Sequence, residues 1–118
     1  MASSETFTSV TSNLMGGESD IVTKSVTIGS GNLVANTVLG QVASTGEYVQ
    51  CVSTLTNGAE VPAAILVVDT NASVASMSAP VFVGGVFNPD ELVWDASITA
   101  VGKLTAFSGT NITLTKVL

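Results

Sequence analysis

Apolar and polar residues alternate in short runs along most of this chain, and clusters of Gly, Ser, Thr and Asn separate the runs. A two-residue period carried by Val, Thr and Ile is the signature of strands with one face buried. IVTKSVTI from Ile21, LVANTVLGQV from Leu33 and EYVQCVST from Glu47 are therefore predicted strands, with turns at 29–32 and at Ser44-Thr45-Gly46. After a loop around Asn57-Gly58, VPAAILVVD is apolar almost without alternation, which predicts a core strand buried on both faces and entered at Pro62. A turn over 69–73 leads into VASMSAPVFVGGVF, where Pro80 is expected to interrupt ladder pairing and Gly84-Gly85 to permit a bulge or a close backbone approach. NITLTKVL alternates again, with Ile112, Leu114 and Leu118 facing inward.

One stretch breaks the strand pattern. In GGVFNPDELVW, Asn88 suits a helix N-cap and Pro89 the first helical position. Asp90 and Glu91 fall in the first turn, where carboxylates meet the positive end of the helix dipole. The spacing predicts a short helix over 88–98, with Leu92, Val93 and Trp94 packing across a sheet or into a neighbouring subunit. Adjacent residues point to different sides of a helix, so capping explains Asp90 and Glu91 better than a catalytic pair does.

Residues 1–20 are mostly Ser, Thr, Asn and Gly, and Gly16-Gly17 followed by Glu18 and Asp20 marks a flexible joint. They are expected to form an arm outside a body spanning 21–118. Within the arm, ETFTSVT suits an extended strand but buries too little to stay ordered by itself.

Composition narrows the function classes. A chain of 118 residues is the size of one domain, and at 46% hydrophobic and 10% charged it must cover much of its surface with neutral residues. Such surfaces suit contact with other protein surfaces and favour an oligomer. The net charge is −6, the cations are Lys24, Lys103 and Lys116, and the absence of arginine argues against direct nucleic-acid binding. The amino terminus lacks the basic and apolar regions of a secretory signal and no apolar run approaches membrane-spanning length, so the chain reads as cytosolic and without a membrane partner.

With Cys51 alone no intrachain disulfide can form, and with no histidine the usual zinc, Cys-His and Ser-His arrangements are absent. Cys51 reads as a small strand hydrophobe. Asp69 with Asn71 falls short of a calcium loop, and Gly29-Ser30-Gly31 lacks the helix and lysine of a phosphate loop. Asn71-Ala72-Ser73 and Asn111-Ile112-Thr113 match a glycosylation pattern that matters only in a secreted eukaryotic protein. No catalytic residue, cofactor or metal is expected. The fold class is mainly β, a β-rich α+β chain with a small single-domain sandwich or barrel-like body, one or two short helices and a flexible amino-terminal arm.

ETFT at the amino end, LVANTVLG with GEYV, NGAEVPAAILVVD, VGGVFNPDELVWD and TAFSGTNITL stand in an order and spacing that resemble the bacteriophage head decoration family, the lambda head protein D-like capsid-stabilising proteins. The resemblance covers nearly the whole chain, although DASITAVGKL departs from a more charged connection in the family. It implies a homotrimer that binds the outside of the expanded icosahedral head at local three-fold positions and holds the major capsid protein lattice against packaged DNA, without catalysis. It implies a protein of the virion's outer surface, made in the host cytoplasm. The arm, loose in solution and ordered on the shell, would bind the capsid through Glu5, Thr6, Phe7, Thr8, Ser9 and Val10. Trimer contacts are expected among Phe82, Phe87 and Trp94, each of which is also a candidate for plain core packing. Two other classes fit the composition: a β-rich adhesin or fibre module, and an enzyme built on two of Asp69, Asp90, Glu91 and Asp95.

Overall fold

A computed structural model describes residues 21–115, so the expectations for the arm and for Leu118 lie outside the described residues. In chain order the elements are β1 (Val22–Ile28), β2 (Gly31–Leu33), β3 (Val38–Gln41), β4 (Tyr48–Gln50), β5 (Pro62–Leu66), β6 (Thr70–Ala72), β7 (Met77–Phe87), a 3-10 turn (Pro89–Glu91), α1 (Ala100–Thr105) and β8 (Asn111–Leu114). The mainly β, barrel-like expectation holds. Five strands close in the order β1-β4-β3-β5-β7 and back to β1, and β8 extends the sheet alongside β7. β5 is antiparallel to both neighbours, β1 is antiparallel to β7, and closure comes from a parallel pairing of Ile28 with Tyr48. β2 and β6 form a separate ribbon.

Alternation along the strands divides the core in two. Leu39 of β3 and Leu66 of β5 join Ile28, Tyr48, Ala64 and Val81 in one cluster, while their neighbours Val38 and Ile65 join Cys51, Phe107 and Ile112 in another. Successive side chains of a strand point to opposite faces, so β3 and β5 lie between two apolar layers. That is why Ala64, Ile65 and Leu66 are all fully buried, as the unbroken apolar run predicts. Close approach adds a requirement at Gly40, where a Cβ would collide with the Ala59 backbone.

The structure corrects four sequence expectations. LVANTVLGQV is two strands: Leu33 pairs with Thr70 in the small ribbon, Val38 pairs with Ile65 in the barrel, and Asn36 turns the chain between them at φ 73. Asn tolerates that left-handed region better than most residues, and Thr37 Oγ1 braces the turn by donating to Val34 O at 2.7 Å. The expected turn at 69–73 contains β6.

Pro80 does not interrupt β7. The Val67 N–H donates to Pro80 O at 3.2 Å, so the backbone groups of Pro80 face β5, and no donor is lost from the ladder to β1. The bulge falls just before the glycine pair, where pairing steps from Thr23↔Phe82 to Val22↔Gly84 and leaves Val83 over. Gly85 then sits at φ 132, outside the range of ordinary L residues.

The helix over 88–98 is only the 3-10 turn. Asn88 caps it as expected, its Oδ1 accepting from the Asp90 N–H at 3.0 Å. Val93 then leaves the helical path, accepting from Val38 N–H and donating to Asn36 O to form a bridge with Thr37. Bonding to the barrel outcompetes continuation of a short helix, whose first turn alone gains little. The α-helix lies further on, inside DASITAVGKL, where Thr99 Oγ1 accepts from the Gly102 N–H at 3.0 Å.

Candidate functional site

The sequence-predicted contact residues in the described part of the chain pack against the same core cluster. Phe82 and Phe87, from β7, have ring centroids 5.1 Å apart with planes tilted by 48°. Trp94 follows the 3-10 turn, donates from Nε1 to Pro89 O at 2.9 Å, and carries the Lys103 ammonium 5.9 Å from its ring centroid. All three are half-buried and pack with Leu92 and Ile98 against the second core cluster. The capped turn thus holds a tryptophan in a fixed orientation, with part of each aromatic left at the surface.

Asp69 and Asp95 accept backbone hydrogen bonds. Asp69 Oδ1 accepts from the Ala35 N–H at 2.8 Å and fixes the turn beside it. Asp95 Oδ2 accepts from the Ser97 N–H at 2.9 Å, and bonding from the Ser97 side chain and backbone holds its carboxyl below the ordinary range. Ser97 in turn binds both the backbone and the hydroxyl of Ser53, tying the loop after β4 to the segment before α1. These are structural bonds that stitch loops to the barrel. Cys51 is buried beside Val38, and burial, with Glu60 and Asp95 nearby, pushes its thiol up to about 11.

Sequence reasoning singles out Val93 with Leu92 and Trp94, but not the exposed Val34 and Val68. Val34, Val68 and Val93 are 50%, 46% and 38% exposed on loops linked by the Asn36–Leu66, Val93–Asn36 and Ala35–Asp69 hydrogen bonds. Of these, Val93 directly precedes Trp94 in the chain. A single valine in a turn has no periodic signal, so only the assembled loops reveal the group. At the same carboxyl end of β7, exposed Ile21 and Val22 pack over Gly85 and Gly84, where an added Cβ would come within 3.3 and 3.2 Å of them. This is where residues 1–20 join the barrel.

No curated protein matches the chain. The family model for bacteriophage lambda head decoration protein D matches residues 5–113.

Proposed function

Because the chain belongs to the bacteriophage lambda head decoration protein D family, whose members are structural capsid proteins and not enzymes, we propose that it binds as a homotrimer to the outside of the expanded phage head. On this reading it sits at local three-fold positions and clamps the major capsid protein lattice against the pressure of packaged DNA. The family match over nearly the whole chain carries the proposal, since it includes the ETFT stretch of the arm as well as the barrel.

In this mechanism Glu5, Thr6, Phe7, Thr8, Ser9 and Val10 add as a strand to an exposed sheet edge of the capsid protein, with backbone hydrogen bonds supplying most of the arm's contribution. Ordering about ten residues costs on the order of 10 kcal/mol of backbone entropy, so one arm binds weakly and needs the body beside it. A trimer brings three arms to three sites, and the second and third bind at high effective concentration when the spacing fits. Unexpanded shells with other spacings are refused. A ligand that binds the expanded lattice and not its disrupted form stabilises the expanded state by linkage. The half-buried aromatics Phe82, Phe87 and Trp94, together with the exposed Val34, Val68 and Val93, supply apolar surface for the contact between copies.

The test is co-sedimentation of the intact chain, and of a chain lacking residues 1–14, with expanded and unexpanded heads of its phage. Binding of the intact chain to expanded heads alone, weakened at least about tenfold by the truncation, is expected. Absence of binding to either head would overturn the reading.

A further inference from the structure

The barrel is closed on one side of β1 by a single residue pair. Beyond Ile28↔Tyr48 no partner among the described residues continues along that edge, although β1 runs six residues further to Val22. The direction of its free backbone groups follows from two neighbours. Pro80 has no N–H and its carbonyl is bonded to Val67 on the β5 side, so its partner Ser25 lies at a position where β1 and β7 exchange no hydrogen bonds. At the closing pair, the Gly29 N–H donates to Tyr48 O at 2.9 Å, which places the backbone groups of odd-numbered residues on the β4 side. Thr23 and Ser25 therefore aim their N–H and C=O groups outward, while Lys24, Val26 and Ile28 bond β7.

A cleft of about 370 Å³ continues the line of β4 along this edge, walled by Lys24, Ser25 and Thr27 on one side and by Gln41, Gly46 and Glu47 on the other. Exposed edges of this kind are templates for strand addition, and natural proteins guard them with charge, proline or a cover. This edge has one lysine and three small hydroxyl residues.

We propose that the open edge of β1 is a second docking strip, which takes an extended segment of the major capsid protein as an added strand hydrogen-bonded to Thr23 and Ser25. The inference rests on the decoration reading and extends it from the arm to the body. The capsid protein is the occupant because of where the rest of the chain joins. Residues 1–20 enter at the start of this strand, and the twelve steps from Val10 to Val22 span at most about 40 Å, so an arm held on the shell keeps the start of this edge within that reach of the capsid protein. The arm adds to an edge of the capsid protein, and the body offers an edge in return.

Ser25→Pro tests this in the full chain, because it deletes an outward N–H and leaves the β1–β7 bonds in place. Ser25→Ala is the control, since both changes remove the 3.1 Å contact between Ser25 Oγ and Ser78 Oγ. Ser25→Pro is expected to weaken co-sedimentation with expanded heads about tenfold or more relative to Ser25→Ala, with thermal midpoint and free oligomeric state unchanged. Equal binding by the two variants would overturn the proposal, and so would a changed oligomeric state in Ser25→Pro, which would assign the edge to a second copy of this chain. If Ser25→Pro does not fold, amide exchange of the unmodified protein decides: Thr23 and Ser25 should exchange at least about tenfold more slowly on heads than free, and equal rates would overturn the strip. Failure of the unmodified chain to sediment with heads would instead overturn the decoration reading, and this inference with it.

Discussion

β5 and β1 are strands of the same barrel with opposite surroundings. β5 is paired on both sides, and Ala64, Ile65 and Leu66 have no exposed surface because a core cluster covers each face. β1 is paired along one side, covered on neither face over most of its length, and buries fully only Ile28. A strand between two layers contributes stability, whereas an edge without a partner among the described residues is a template for adding a strand.

The largest effect expected from breaking this contrast is at the centre of β5. Ile65→Ala leaves a cavity between β5 and the layer of Phe107 and Ile112, and should cost about 2–5 kcal/mol in urea unfolding. A smaller effect should come from Cys51 in the same layer. Its thiol ionises at 9.0 in the ordinary case and is pushed up to about 11 in the fold, so the unfolded chain loses the proton first as pH rises. Stability should be unaffected by this group below about pH 9 and fall between about 9 and 11, and Cys51→Ala should remove that part of the slope. The smallest effect belongs to β1, where Thr27→Ala at an exposed position should shift stability by no more than about 0.5 kcal/mol. A cost at Thr27 comparable with that at Ile65 would show that β1 is covered in the free protein.

Several features could be read without coordinates because they depend on neighbours in sequence. The apolar run of VPAAILVVD indicated burial on both faces, which holds for Ala64, Ile65 and Leu66 but not for the exposed Val61 and Val68, and Asn88 with Pro89 required a helical turn at that point. Ile112 faces the core as the alternation of NITL indicates. The sequence leaves Phe82, Phe87 and Trp94 between trimer contact and core packing, and the fold shows all three packed against the second core cluster.

Where sequence reasoning went wrong, a long-range bond had displaced a local preference. Val93 abandons the helix for a bridge to Thr37, and Asn36 splits one alternating run between two sheets. Pro80 is accommodated because the strand on that side asks for its carbonyl and not for an N–H.

Local periodicity, capping residues and the near absence of charge settle by themselves that this chain is mainly β, has one covered strand and presents neutral surfaces. Strand order, the single closing pair at Ile28 and Tyr48, and the side of β1 that stays open were decided by the tertiary structure. The physical reason is that alternation specifies which face of a strand is apolar but carries no information about which backbone edge finds a partner.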